Sequence, residues 1–206
     1  MKKLVLVLLV LAVSAPLLAQ GRSVDVSVFG TWVDLTGDAT IHQTSTGDAT
    51  IDFKSDFGYG ASVNLFFTRR LSAELALSRI RAEGRVQYGA GTAVGKLDLM
   101  PLTGVAQYHF SPDGRIDPYV GVGVAYVLFR DFNSDHLGSI GIGKIDFRND
   151  YGMVYAAGLT WNLAGGIALL ADAKYTVTSN EVTADIGTGT VELKPLILSA
   201  GVSVKF

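Results

Sequence analysis

The chain has 206 residues, 49% of them hydrophobic and only 17% charged, with a formal net charge of −2 and 24 glycines. Soluble domains carry about 25% charged residues, and a mean hydropathy of +0.34 is high for one. These values exclude a disordered chain, a coiled coil and a nucleic-acid binder. The lack of cysteine excludes disulfides, thiol catalysis and Cys-based metal sites.

The N-terminus reads as a separate object. Lys2 and Lys3 precede an apolar run from Leu4 to Val13, and Ser14-Ala15-Pro16-Leu17-Leu18-Ala19 supplies a breaker and a small residue for cleavage. This is the pattern of a secretory signal peptide, too short to cross a bilayer, with cleavage expected after Ala19. The expected organisation is therefore a signal peptide over 1–19 and one domain over 20–206. No later run of 18 apolar residues occurs, so a chain this apolar lacks a transmembrane helix.

From there the period is two. Alternating segments fall at about 24–34, 57–68, 71–82, 96–110, 118–130, 151–162, 166–178 and 191–206. In the third, Leu71, Ala73, Leu75 and Leu77 share one face and Ser72, Glu74, Ala76 and Ser78 the other. In the seventh, Ile167, Leu169, Ala171, Ala173, Tyr175 and Val177 oppose Ala168, Leu170, Asp172, Lys174, Thr176 and Thr178. In the last, Leu196, Leu198, Ala200, Val202, Val204 and Phe206 oppose Ile197, Ser199, Gly201, Ser203 and Lys205. Each segment has the roughly ten residues that a tilted strand needs to cross hydrocarbon.

The connections alternate in length. Thr68-Arg69-Arg70, residues 111–117 and Leu163-Ala164-Gly165 are short, whereas 35–56, 83–95, 131–150 and 179–190 read as long loops. Within the first long connection, Thr36-Gly37-Asp38-Ala39-Thr40-Ile41 recurs as Thr46-Gly47-Asp48-Ala49-Thr50-Ile51. This reads as a hairpin turning near Ser45-Thr46-Gly47. A recognition surface or a weak Ca²⁺ site at Asp38 and Asp48 is the alternative, with too few carboxylates to favour it. Phe67, Phe110, Tyr119, Trp161 and Phe206 cluster near the short turns. Trp32, Phe57, Tyr59, Tyr126 and Tyr151 lie nearer the long loops, as two interfacial girdles require.

Short turns on one side, long loops on the other and an even strand number predict an all-β fold, an eight-stranded antiparallel transmembrane β-barrel. Closure leaves no backbone group unpaired in lipid. A soluble lipocalin-like barrel would place the apolar face inside. The sparse charge, the Gly, Ala and Ser opposite Leu and Val, and the terminal Phe favour the membrane arrangement.

Two stretches resemble the OmpW family of outer-membrane proteins. One is Met100-Pro101-Leu102-Thr103-Gly104-Val105-Ala106-Gln107-Tyr108-His109-Phe110, continued by Ser111-Pro112-Asp113-Gly114 and Pro118-Tyr119-Val120-Gly121-Val122-Gly123. The other is the tail from Val191 to Phe206. Leu159-Thr160-Trp161-Asn162-Leu163 is similar to that family's sixth-strand ending. The resemblance implies an eight-stranded outer-membrane barrel of a Gram-negative-type envelope, with a role in passive uptake of small apolar molecules or as a surface receptor. It also implies that Phe206 is read by the barrel-assembly machinery.

Placing the small and polar face inside sorts the lumen by depth. A polar plug is expected near the short turns from Asp25, Asn64, Glu74, Gln107, Asp172, Lys174 and Lys205, with His109 and Asn162 close by. In it, Glu74 and Asp172 pair with Lys174 and Lys205, because buried charges left alone cost several kcal/mol. An apolar funnel is expected above, from Leu97, Leu99, Pro101, Val127, Phe129, Val154, Leu193 and Ile197. Pro101 and Pro195 cannot donate to the ladder, so each marks either a lateral opening in the wall or a bulge.

The expected function is passive uptake of small hydrophobic molecules through this funnel, with lateral release into the bilayer. The competing reading is a non-transporting protein that stabilises the envelope or serves as a receptor. A general porin would need about sixteen strands. No catalytic residues, metal site or cofactor are expected. His42, His109 and His136 lie apart in sequence, and a Ser-His-Asp site would require them to converge with partners from other segments. Expected partners are outer-membrane lipids and lipopolysaccharide, the assembly machinery and small apolar solutes, with no nucleic acid. Arg79, Arg81, Arg85, Lys96 and Arg130 read as outer-rim charges, either solvated or facing lipid phosphates.

Overall fold

Alternation of outward oily and inward small or polar side chains produces long staves that pair edge to edge. The computed structural model describes residues 23–34, 39–41, 49–53, 55–88, 91–133, 145–147, 150–184, 187–193 and 195–206. For several strand residues, among them Arg85, Lys96, Leu97, Phe129, Arg130 and Leu193, only the backbone is described. Residues 1–22 with the expected signal peptide, and Asp38, His42, Asp48 and His136, lie outside the described residues.

The strands are β1 Val24–Asp34, β2 Ala39–Ile41, β3 Ala49–Phe53, β4 Asp56–Phe66, β5 Leu71–Tyr88, β6 Gly91–His109, β7 Ile116–Asn133, β8 Ile145–Phe147, β9 Asp150–Asn162, β10 Ile167–Ala184, β11 Gly187–Leu193 and β12 Leu196–Lys205. The eight staves run β5-β4-β1-β12-β10-β9-β7-β6 and return to β5, so the sheet closes. The first and last staves pair antiparallel from Asp25↔Lys205 to Asp34↔Leu196. Their ends are sealed by Val24 N donating to Phe206 O (3.2 Å) and Phe206 N to Val24 O (2.9 Å).

The stagger of the barrel is read directly from the register. Starting at Ser203, one transverse row passes Ser27, Ser62, Ala76, Thr103, Ala125, Gly152 and Thr178, and returns to the starting stave at Leu193. The row has climbed from position 203 to position 193 in one circuit. With strands about 4.8 Å apart and about 3.3 Å per residue, that offset tilts the staves by about 40°. At this strand number the interior is only wide enough to be filled by side chains.

The faces are as the alternation predicts. Leu75, Leu169 and Leu198 are exposed on the outer wall, while Glu74, Asp172 and Ser199 beside them are buried in the lumen. Phe57, Tyr59 and Tyr151 stand out at the long-loop end, and Phe67, Phe110, Trp161 and Phe206 at the short-turn end. Tyr119 departs from the expected girdle. It is 3% exposed and points into the lumen, because Val120, Val122 and Val124 fix the outward phase of β7 and Tyr119 is one residue out of step.

Two of the four expected long loops are strands. The segment 83–95 is the tip of a hairpin paired from Glu83↔Lys96 to Tyr88↔Gly91, and 179–190 is paired from Ser179↔Glu192 to Ala184↔Gly187. β5, with 18 residues, exceeds the roughly 9–11 that cross hydrocarbon. Above the membrane a ladder needs a partner but no oily face, so hydrophobic alternation stops marking the strand there. In the first connection the two repeat copies pair with each other, as Ala39↔Ile51, Thr40↔Thr50 and Ile41↔Ala49, and β3 then adds to β5. The hairpin reading fits this; its turn lies outside the described residues.

Candidate functional site: the barrel lumen

At the short-turn end the inner wall is polar and knitted together. Lys174 Nζ lies 2.6 Å from Asp172 Oδ1 and 2.8 Å from Glu74 Oε1. Tyr119 OH donates to Asp172 Oδ2 at 2.8 Å, and Gln107 Nε2 donates to Glu74 Oε2 at 3.4 Å. Asn64 Nδ2 donates to Gln107 Oε1 at 2.9 Å. Lys205 does not join this cluster as expected. It faces Asp25 across the β1–β12 seam at 3.7 Å, because the register sets these two residues directly opposite.

What remains of the space at this level is small. Asp25, Asn64, Glu74, Gln107, His109, Tyr119 and Lys205 border a cavity of about 20 Å³, room for about one water. Asp25 Oδ1 and Asn64 Oδ1 are buried there without a protein partner. Below it, a hollow of about 480 Å³ opens at the short-turn end between Ser23, Phe66, Arg69, Asp113 and Phe206, with Asp25 and Lys205 also on its wall. All seven predicted plug residues are therefore assembled in the lower lumen, five of them (Asn64, Glu74, Gln107, Asp172 and Lys174) joined in one network.

Large inward side chains sit on small ones. A side chain added at Gly158 would meet the Tyr119 ring at 2.5 Å, and one at Gly60 would meet the Phe29 ring at 2.5 Å. Phe29, Ala76, Tyr119 and Leu170 form one packed cluster, and Val105, Ala125, Val154 and Ala156 another above it. Phe29 was absent from the predicted lumen. Its parity with Asp25 and Ser27 on β1 is the signal that marks it.

The funnel positions gather in the upper part. Leu99 stands opposite Phe129 and Ile80, Pro101 opposite Val127, Leu97 opposite Ala82, and Ile197 opposite Val33 and Lys174. Leu193 stands opposite Thr178, and Val154 opposite Gly123. Leu99, Pro101, Val154 and Ile197 are buried and Val127 is half-buried. Ile80 and Val33, neighbours the sequence reading did not include, complete this apolar layer.

Both prolines interrupt the wall. The β5–β6 ladder reads Leu77↔Leu102 and resumes at Ile80↔Leu99, skipping Pro101 and Met100. On β10 the pairing is described to Tyr175↔Leu196 and again from Thr178↔Leu193, with Pro195 and Lys194, which lies outside the described residues, between. The register is the same on both sides of each gap, so neither is a bulge. Thr176 N still donates to Pro195 O at 3.1 Å.

The structure also converges residues that the sequence kept apart. Ser72 Oγ lies 3.0 Å from His109 Nε2, and His109 Nδ1 lies 2.7 Å from Asp117 Oδ2. The spacing is that of a hydrolytic triad. Its surroundings are not, because Ser72, His109 and Asp117 are all at most 3% exposed. Ser72 Oγ is also engaged with Gln107 Oε1 at 3.3 Å, and the neighbouring cavity admits a water rather than an acyl group. The array holds the short turn in place, with Asp117 Oδ1 accepting from Ser111 N at 3.0 Å.

Residues 17–206 match the OmpW family. The chain belongs to that family. Among curated relatives it is 30% identical to the outer-membrane protein y4mB of Sinorhizobium fredii, over 74% of this chain and 69% of that one. It is 25% identical to the outer membrane protein AlkL of Ectopseudomonas oleovorans, over 82% and 75% respectively. Among solved structures it superposes on OprG from Pseudomonas aeruginosa with a TM-score of 0.77 at 17% identity, covering 89% of this chain and 95% of that one. The AlkL structure in lipid bilayers gives 0.64 at 22% identity, covering 88% and 90%. This OmpW-family chain is thus an outer-membrane β-barrel, from a family of non-enzymatic channel or structural proteins.

Proposed function

We propose that the barrel takes up small apolar molecules from outside the cell through its upper lumen and releases them sideways into the bilayer beside Pro101 or Pro195. The observation that carries this reading is the contrast within one lumen. The lower part is occupied by paired charges around a cavity of about 20 Å³, which leaves no axial route. The upper part is apolar and lies level with two interruptions of the wall ladder. An apolar solute gains about 25 cal/mol per Å² on leaving water for such a surface, and the bilayer offers the same gain through the wall. The similarity to a protein named AlkL is in keeping with this reading but adds no substrate.

A second reading is favoured by burial. Val33, Ile80, Leu99 and Val154 are all at most 5% exposed, so the upper lumen is packed, as a structural or receptor barrel would be. Liposome uptake separates the two. With the full barrel inserted, an apolar probe is expected to enter faster than a polar probe of equal size. Pro101→Val and Pro195→Val, each restoring a ladder donor, are expected to slow it. Uptake equal to protein-free liposomes would leave the structural reading; uptake unchanged in both variants would remove the lateral exit.

A further inference from the structure

The two interruptions of the wall are not alike. At Pro195, Thr176 N still donates to the proline carbonyl at 3.1 Å. At Pro101 the β5–β6 ladder omits two successive positions, Ser78 against Pro101 and Arg79 against Met100. The flanking pairs, Leu77↔Leu102 and Ile80↔Leu99, are three residues apart, about 10 Å along the strand. Inside, this window meets the apolar layer at Ile80 and Leu99, both buried. Outside, a side-chain bond crosses it. Arg79 of β5 grips Asp98 of β6 with two nitrogens, Nε at 3.1 and 3.2 Å from the two carboxylate oxygens and Nη2 at 2.5 Å from Oδ2. Arg81, also on β5, stands opposite the same carboxylate in the ladder.

The pair therefore joins the two staves where the backbone ladder does not. Arg79 starts from one of the two omitted positions and reaches diagonally to a residue just above the window. Tyr59, an exposed girdle residue, stands directly opposite Arg79 in the β4–β5 ladder. The girdle marks where hydrocarbon gives way to headgroups, so the pair lies at the upper edge of the window, while Leu77 and Leu102 at its lower edge face hydrocarbon. A two-nitrogen guanidinium–carboxylate contact is directional as well as strong. It resists the separation of β5 from β6, yet it breaks without disturbing the pairs above and below. We propose that solute leaves the barrel through the Pro101 window, and that Arg79 and Asp98 are the clasp that holds this window closed. This rests on the lateral-release reading above and adds to it the place of release and the bond that limits it.

The test uses the full barrel in liposomes and reads two quantities, amide hydrogen exchange at the window and uptake of an apolar probe. Asp98→Ala removes the carboxylate from both arginines. It is expected to speed exchange of the Ser78, Arg79, Ile80, Leu99 and Met100 amides about fivefold, and to leave those of Thr176 and Val177 beside Pro195 unchanged. Uptake of the apolar probe is expected to rise by a similar factor, and that of a polar probe of equal size to stay slow. Arg79→Lys, a point charge in place of the two-nitrogen grip, is expected to fall between Asp98→Ala and the unaltered barrel. The chain has no cysteine, so a single disulfide can staple the lower edge, where Leu77 and Leu102 pair. With Leu77→Cys and Leu102→Cys added to Asp98→Ala, oxidation is expected to slow uptake again and reduction to restore it. A heat-shift gel verifies folding, and should Asp98→Ala fail to fold, Arg79→Lys carries the same comparison. Unchanged exchange at the window, exchange raised equally at both prolines, or uptake indifferent to the disulfide would overturn the clasp. Uptake by the unaltered barrel no faster than by protein-free liposomes would instead remove the release reading on which it rests, and the exchange data tell these two failures apart.

Discussion

The lower and upper lumen are built from the same staves, yet they are closed in different ways. Below, Lys174, Glu74, Asp172 and Tyr119 are held by directed bonds at 2.6–2.8 Å. Above, Val33, Ile80, Leu99, Val154 and Ile197 are held by contact alone. Charges taken out of water must be answered where they lie, whereas apolar side chains need only fit. A small apolar molecule can replace packing of the second kind, because it offers similar contacts. It cannot replace an ion pair.

The comparison can be broken most severely at Lys174. Lys174→Met leaves Glu74 and Asp172 buried without a cation, and is expected to lower stability by about 3–5 kcal/mol in urea unfolding of the bilayer-inserted barrel. Placing a carboxylate in the upper layer makes the reciprocal test. Val154→Asp is expected to cost about 3 kcal/mol in the same assay, since among the described residues no cation neighbours Val154 in the ladder. Ile197→Ala is expected to cost about 2 kcal/mol and, if the upper lumen is the ligand path, to speed uptake of an apolar probe. Tyr119→Phe removes one donor from Asp172 and is expected to cost about 1 kcal/mol without altering uptake. Arg69→Ala breaks an exposed pair with Asp113, whose side chains are 84% and 76% accessible. It is expected to change stability by less than about 0.5 kcal/mol, which sets the floor against which the lumen pairs are judged.

Much of this was legible in the residues. Alternation at Leu71–Leu77 and Leu196–Phe206 marked the staves and their outer face, and the inward parity of Asp25, Glu74, Asp172 and Lys174 marked the plug. Other features were hidden for identifiable reasons. The β5–β6 and β10–β11 hairpins extend past the apolar pattern, because ladder hydrogen bonds do not require oily side chains outside lipid. Tyr119 lies as near a turn as the girdle aromatics do, and only its phase against Val120 distinguishes it as an inward residue. The Ser72–His109–Asp117 array joins two staves and the start of a third, and nothing local in any of them announces it.

By itself the sequence determined a closed eight-stranded barrel, since a period of two with an oily face and no spanning helix leaves backbone closure as the way to satisfy every amide in lipid. Which groups meet inside was decided only by the tertiary structure. Lys174 on β10 reaches Glu74 on β5, and Lys205 turns to Asp25, because the climb from Ser203 to Leu193 in one circuit sets which levels face each other. The pleat is a property of each strand alone, but that offset exists only once the ring is shut.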